Sequence, residues 1–178
     1  MENKNLSVLS EKILNMENKN LLKQQTQENL EKKKDFRDCG SCTECCKNLY
    51  IPDVHGHVVC PGSPCFFLCE EKKCTIHENR PKVCKDFQCA WTQNILPEWM
   101  KPDKCNALVS VERWGKNKEH QMLKVMSIND GYDVKTFSWI LLFCLETATP
   151  ISFQIPGGIF KHIGPPEFME YTNPIKKI

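Results

Sequence analysis

The chain has 178 residues, of which 40% are hydrophobic and 26% are charged, and its formal net charge is +2. A near-neutral charge without a basic stripe is not typical of nucleic-acid-binding proteins, so no nucleic-acid partner is expected. The longest apolar run, Trp139 to Leu145, is far shorter than the ~20 residues of a transmembrane helix, so no membrane partner is expected. Length and hydrophobic content predict one domain with a tail.

Residues 1–38 form the first predicted segment, which is polar and contains no proline, glycine or cysteine. A thin hydrophobic stripe at spacings of three and four residues indicates a partly amphipathic helix. Its members are Leu6, Leu9, Ile13 and Met16. We therefore predict a helical or disordered tail, which is either solvated or contacts a protein partner.

The N-terminal residues also bear on the compartment, because a secretory signal requires a continuous apolar stretch and a small-residue cleavage site. Residues 1–20 contain neither, so we expect a cytoplasmic protein. Thiols stay reduced in the cytosol, where a cysteine-rich pattern indicates metal binding or catalysis more often than disulfides. We therefore interpret the cysteines as metal ligands, and an exported, disulfide-bonded protein is the alternative.

Residues 39–178 are predicted to form the domain, and its first part, residues 39–91, holds ten of the twelve cysteines. This part shows little hydrophobic periodicity, so its folding energy is expected to come largely from cross-links, as in a metal-binding lobe. The stretch from Tyr50 to Val59 predicts a short ribbon, on which His55 and His57 share one face as exposed polar side chains. "NRPKVCKDF" predicts a short helix with Asn79 near its N-cap and Pro81 in its first turn.

Residues 92–178 have the pattern of an ordinary α+β domain. "NALVSVERW" and "HQMLKVMSI" predict two strands of an antiparallel hairpin, and "TPISFQI" predicts a later strand. Between them, a helix is predicted behind the capping residue Asp133. Its apolar stripe is Val134, Phe137, Leu141 and Cys144. "PGGIFKHIGPP" predicts a loop, so the expected fold class is α+β, with a cysteine-rich lobe beside a small antiparallel sheet and one packed helix.

The opening cysteine cluster, "CGSCTECC", is compatible with two kinds of metal centre. Cys39, Cys42 and Cys45 have the C-x2-C-x2-C spacing that wraps an iron–sulfur cubane, and Cys60 precedes a proline as the remote ferredoxin cysteine does. Zinc, however, accepts any four thiolates that reach a tetrahedron, so spacing leaves zinc and iron open. Adjacent cysteines are difficult to aim at one ion, so Cys45 or Cys46 is expected to serve a second centre or to be a buried thiol.

The combination of this cluster with "CTIHENRPKVC" resembles the CxxCxxCC zinc- or iron-chelating domain family, the YkgJ-type cysteine-cluster proteins. The resemblance is strong over residues 39–91 and extends to the later hairpin and helix in outline. It implies a shared set of eight metal-binding cysteines. Carried over by position, these are Cys39, Cys42, Cys45, Cys46, Cys65, Cys74, Cys84 and Cys89.

The chain departs from the family pattern at several positions. His77 stands where the family usually has tyrosine, and it is expected to pack or donate a hydrogen bond rather than bind metal. Cys60, Cys69 and Cys105 are additional, and Cys105 is expected to be a bystander. Arg80 is a candidate hydrogen-bond donor to thiolates or to a carboxylate.

The function that the residues and the resemblance favour is a cytoplasmic protein that chelates zinc or iron, or holds an iron–sulfur cluster. The alternative is an enzyme, because the resembling family includes flagellin lysine N-methylases that share the cysteine lobe. Those enzymes are much longer. This sequence has no glycine-rich strand–turn–helix motif for S-adenosylmethionine and no paired carboxylates in a clear catalytic setting.

Overall fold

A computed structural model describes residues 36–69, 71, 73–129 and 131–173 of the chain. The tail predicted for residues 1–38 therefore lies, apart from its last three residues, outside the described part. The described residues combine short helices with two-stranded ribbons and one four-stranded sheet, which confirms a mixed α and β composition. None of the described helices is both long and apolar enough to cross a lipid bilayer.

The part that precedes the four-stranded sheet consists of short elements. These are α1 (Glu44–Asn48), β1 (Ile51–Val54), β2 (His57–Val59), β3 (Leu68–Cys69), β4 (Lys73–Cys74) and α2 (Lys82–Asp86), followed by a 3-10 turn (Glu98–Met100) and α3 (Pro102–Cys105). β1 pairs antiparallel with β2, and β3 pairs antiparallel with β4. Among the described residues between Cys39 and Gln88, the buried hydrophobic ones are Ile51, Val54 and Val59.

The ribbon predicted from Tyr50 to Val59 is confirmed, but the prediction that His55 lies on a strand is wrong, although the rings of His55 and His57 both contact that of Phe67. His55 lies in the β1–β2 turn with φ of 52°, so it does not alternate with His57 on a strand. Both side chains are exposed, as expected. Helix α2 is also confirmed, although Pro81 rather than Asn79 is its N-cap, because Pro81 still has extended backbone angles.

The sheet contains β5 (Ala107–Trp114), β6 (His120–Ser127), β7 (Ile151–Gln154) and β8 (Phe160–Ile163), in that order. The predicted hairpin is confirmed, since β5 and β6 pair antiparallel over their whole length. The expectation of a wholly antiparallel sheet is wrong for one ladder, because β6 and β7 are parallel. Helix α4 (Val134–Thr147) separates these two strands, and such a crossover returns the chain in the same direction.

Helix α4 begins after Asp133, whose Oδ1 accepts a hydrogen bond from the Thr136 amide at 3.2 Å, as its capping role predicts. The buried face, however, is one residue away from the predicted stripe over most of the helix. It consists of Thr136, Ile140 and Cys144, whereas Val134 is 82% exposed. Cys144 is confirmed as a core residue.

Several described elements were not predicted, among them α1, the β3–β4 ribbon and α3, and two further ones follow β7. β8 lies within the stretch predicted as a loop, and α5 (Pro166–Thr172) follows it. Strand β8 has four residues, and exposed residues alternate with half-buried ones, so its hydrophobic pattern is weak. Its antiparallel pairing with β7 is what establishes it as a strand. The main core joins the sheet, α4 and the segment from Cys89 to Cys105.

Candidate metal centre

All twelve cysteines lie in the described part of the chain, and all are free thiols. Of the eight predicted ligands, Cys89 is buried, Cys39 is exposed and the others are partly buried. The surroundings of these eight thiols divide them into two sets. We call Cys39, Cys42, Cys45 and Cys89 the core quartet, and Cys46, Cys65, Cys74 and Cys84 the ribbon quartet.

Backbone hydrogen bonds fold the opening cluster into a compact loop. The Cys42 amide donates to the Cys39 carbonyl at 3.1 Å, and the Cys46 amide donates to the Thr43 carbonyl at 2.9 Å. These turns lead into α1, which carries Cys45 and Cys46. Cys45 packs against the main core, whereas the Cys46 carbonyl accepts a hydrogen bond from the Cys65 amide at 2.9 Å.

The ribbon quartet is built around that Cys46–Cys65 backbone contact. Cys74 lies on β4 opposite Leu68, whose amide donates to the Cys65 carbonyl at 3.0 Å. Cys84 lies on α2 and packs, like Cys65, against the small apolar cluster of β1 and β2. These backbone bonds and packing contacts therefore link the elements that carry the four residues.

Electrostatic coupling shows that the ribbon thiols are neighbours. Burial raises the pKa of Cys84, and the charges of Cys46, Cys65 and Cys74 raise it further. Burial likewise raises the pKa of Cys65, to which Cys46 and Cys74 add. Because charge interactions weaken with distance, these couplings place the four sulfurs in one region.

The core quartet is held together from the start of the described chain. Arg37 donates from its backbone amide to the Thr92 carbonyl at 2.9 Å and from Nη1 to the Leu96 carbonyl at 2.8 Å. These bonds tie the residues before Cys39 to the segment after Cys89. Cys89 itself forms an isolated bridge with Ser110 of β5.

The pKa shifts of the core quartet reflect the same neighbourhood. Cys39 is exposed by area, yet the surrounding atoms desolvate its thiol enough to raise its pKa, and Cys89 raises it further. The pKa of Cys45 is raised by its hydrogen bond with Cys46, by burial and then by the charges of Cys46, Cys39 and Cys42. Burial also raises the pKa of Cys42.

Proximity does not amount to an assembled coordination sphere. Within the described ranges, no three or more histidine, cysteine, aspartate or glutamate side chains form a group that could hold a metal ion as arranged. The quartets are therefore neighbourhoods of thiols defined by backbone contacts, packing and charge coupling.

The positive charge of Arg80 acts on thiols of both quartets. Burial raises the pKa of Cys39 and of Cys84, and the charge of Arg80 opposes this rise. The hydrogen bond with Cys45 lowers the pKa of Cys46, and the charge of Arg80 lowers it further. The Nε atom of Arg80 is buried and has no hydrogen-bond partner among the described residues. A buried donor without an acceptor is costly, so this position requires an explanation.

The additional cysteines lie outside the two quartets, although the charge of Cys42 adds to the rise that burial causes in the pKa of Cys105. The buried Cys105 thiol donates to the Met100 carbonyl at 3.3 Å and to the Ala107 carbonyl at 3.4 Å, and burial raises its pKa to about 11. Burial raises the pKa of Cys144 to about 12. Cys60 exchanges backbone hydrogen bonds with Ser63, and Cys69 lies on β3. Exposed His77 has its Nδ1 atom 3.4 Å from the Glu78 carboxylate.

A groove lies apart from these thiols, between the β1–β2 ribbon and the four-stranded sheet. It is lined mainly by apolar side chains, among them Leu49, Phe87 and Met126, and no cysteine lines it. An ion pair between Lys124 and Glu112, with 3.2 Å between nitrogen and oxygen, forms part of its wall. The groove is therefore not a thiol site.

The sequence placed the eight candidate ligands but did not divide them between centres. The signal that pointed to two centres was the adjacency of Cys45 and Cys46. Arg80 was noted as a donor, but its charge interaction with thiols of both quartets was not foreseen. No protein-family model, no curated protein and no solved structure matches the chain.

Proposed function

We propose that this chain is a cytoplasmic metal-binding protein in which the core quartet and the ribbon quartet each bind one zinc or iron ion. The observation that supports this most directly is the division of the eight candidate ligands into two sets of four. Four thiolates are the complete ligand set of a structural zinc site, and iron–sulfur clusters also take four. The irregular segment of residues 39–91 would be the metal-binding lobe.

The chemistry of the donors fits such ions. Burial and mutual repulsion raise the pKa of Cys65 and Cys84 and so favour their protonated forms. A dipositive ion opposes both effects, because it attracts the thiolates and replaces the lost hydration. Metal binding would then draw each set of sulfurs together and release protons. The orphaned Nε of Arg80 also fits, since metal-bound thiolate sulfurs accept hydrogen bonds.

Metal binding would also change the charge of the protein. Two dipositive ions held by eight thiolates would move the formal net charge from +2 to about −2. This further separates the chain from nucleic-acid-binding proteins. The enzyme alternative, a relative of flagellin lysine N-methylases, is supported by the sequence resemblance alone.

The test is the metal content of the whole chain, purified without oxygen and without added metal. Elemental analysis should find two zinc or iron ions per chain, or, for each quartet that holds an iron–sulfur cluster, two or four irons with a matching amount of sulfide. An iron–sulfur cluster would give a brown protein with broad visible absorption, whereas zinc would give a colourless one.

Substitutions then assign the ligands. Cys74→Ser should remove the ion of the ribbon quartet and Cys89→Ser that of the core quartet, while the double variant should hold none. Serine exchanges a soft thiolate for a hard, mostly protonated hydroxyl, which a soft-ligand site tolerates poorly. Cys144→Ser is the matched control and should retain both ions. Equal metal content in all four variants would refute the proposal, and loss of both ions from each single variant would refute the division into two sites.

A further inference from the structure

We infer that Arg80 compensates the negative charge of both metal–thiolate centres and donates a hydrogen bond from Nε to a ligand sulfur, which allows both centres to be filled together. This inference rests on the proposed function, because it assigns a positioning role at the same site. It concerns a residue that lies outside the eight ligands.

The local structure places Arg80 between elements that carry the ligands. The residue follows the turn in which the Asn79 amide donates to the Ile76 carbonyl at 2.8 Å, and it precedes Pro81, the N-cap of α2. Cys84 lies on that helix, while Cys74 precedes the turn. The backbone on both sides of Arg80 is therefore fixed by segments of the ribbon quartet.

The electrostatic effect of Arg80 extends to both quartets. Burial raises the pKa of Cys39, which belongs to the core quartet, and the charge of Lys101 opposes this rise. The hydrogen bond with Cys45 lowers the pKa of Cys46, which belongs to the ribbon quartet, and the charge of Lys47 lowers it further. Arg80 acts on both of these thiols. A guanidinium remains charged throughout the accessible pH range, so its compensation does not depend on its own protonation.

The need for such a charge follows from the ions themselves. A dipositive ion with four thiolates carries two negative charges, and two such centres repel each other when they are close. The adjacent Cys45 and Cys46, with sulfurs 4.0 Å apart, would bring the two centres close together. A fixed cation near both reduces this repulsion, and its N–H groups can bind sulfur without displacing the metal.

The Nε atom of Arg80 is buried, which is a geometric observation independent of the charge interactions. It has no partner among the described residues, although the charge of Arg80 acts on thiols that would accept a hydrogen bond as thiolates. A charged donor prefers an ionised acceptor, so the bond would form when the thiols lose their protons to metal. This bond would give the buried Nε the acceptor that it lacks among the described residues.

The experiment uses full-length protein and stepwise competition for Zn²⁺ by a chromophoric chelator. In the unaltered chain the two ions should leave with similar affinities. In Arg80→Gln, which keeps an N–H donor but loses the charge, one ion should bind about 10–100-fold more weakly, the usual effect of removing an outer partner of a metal site. Arg80→Lys should restore most of this affinity, because it restores the charge.

Substitution with Co²⁺ gives a readout that a merely structural role would not move. The sulfur-to-cobalt charge-transfer bands of the Arg80→Lys variant should shift relative to the unaltered chain, because the Nε donor is missing. Lys47→Gln is the matched control and should change the metal affinity of the ribbon quartet alone. If both Arg80 variants keep two ions at unaltered affinity, the inference is wrong while the proposed function stands.

The remaining outcomes are also decisive. If the unaltered chain binds no metal, the proposed function fails, and the inference fails with it. If Arg80→Gln does not fold, Arg80→Lys decides alone: two ions with shifted cobalt bands support the inference, and two ions with unshifted bands refute the hydrogen bond.

Discussion

The sulfur atoms of Cys45 and Cys46 lie 4.0 Å apart, yet the two residues face different surroundings. Consecutive residues of an α-helix point about 100° apart, so α1 can direct one thiol towards the main core and the next towards the ribbon. Cys45 accordingly packs against the core, and the Cys46 backbone contacts Cys65. The two adjacent thiols therefore belong to different neighbourhoods, and under the proposed function each would serve a different ion.

Metal removal should loosen residues 39–91 selectively. The buried hydrophobic residues between Cys39 and Gln88 are Ile51, Val54 and Val59, and a structural metal site can contribute on the order of 10 kcal/mol to folding. Limited proteolysis with and without a strong chelator should show new cleavage in this segment while β5 and β6 stay protected. An unchanged digestion pattern after confirmed metal loss would contradict this prediction.

Cys144→Ser should reduce stability without reducing metal content. The side chain is 7% exposed in the main core, and a hydroxyl there costs about 1–3 kcal/mol when it finds no partner. Urea denaturation measures the loss, and Cys144→Ala separates the effect of polarity from that of lost volume. Loss of a metal ion from either variant would mean that Cys144 belongs to a site.

Tyr132→Phe should alter both stability and its dependence on alkaline pH. The Tyr132 hydroxyl donates to the Val125 carbonyl at 3.0 Å and accepts from the Gln154 amide at 3.0 Å, so it ties β6 to β7. Removing this oxygen should lower the free energy of unfolding by about 1–2 kcal/mol at neutral pH.

The pH dependence follows from the Tyr132 phenol. Burial raises its pKa from 10.0 to about 12, so the folded state favours the protonated form. Its stabilisation is complete below the unfolded-state pKa and is lost as the pH rises through the folded-state value. The difference in unfolding free energy between the unaltered chain and Tyr132→Phe should therefore shrink between pH 10 and about pH 12. A constant difference over that interval would contradict the assignment.

Gly164→Ala should be more damaging than Gly131→Ala. A Cβ at Gly164 would lie 2.5 Å from Cδ1 of the buried Phe168 and 3.0 Å from Cβ of Pro150. Overpacking of this kind costs about 1–3 kcal/mol, because Phe168 or the backbone must move. A Cβ at Gly131 would meet no atom within 4 Å, which makes that variant the control. Thermal denaturation of both should show a clear drop for Gly164→Ala alone.

Local sequence patterns predicted the elements that have strong local signals. The alternation in β5 and β6 and the capping residue Asp133 predicted the hairpin and the start of α4 correctly. The stripe of α4 was misjudged by one residue, because neighbouring registers of an apolar helix differ little in sequence and the sheet decides which face is buried. The parallel pairing of β6 with β7 depends on the crossover, which no local pattern specifies.

The sequence by itself determined the donor chemistry: twelve cysteines, the spacing of the opening cluster, and a resemblance that singled out eight of them. It could not decide which thiols are neighbours, because spacing limits reach along the chain but does not fix where distant segments meet. Only the tertiary structure placed Cys65, Cys74 and Cys84 beside Cys46, through the Cys46–Cys65 backbone bond and the β3–β4 ribbon. It likewise brought the segment after Cys89 to the residues before Cys39, through the bonds of Arg37, and it left the buried Nε of Arg80 without a partner among the described residues, in a residue whose charge acts on thiols of both quartets. These contacts join residues distant in sequence, and the energetics of packing and charge, rather than local propensity, select them.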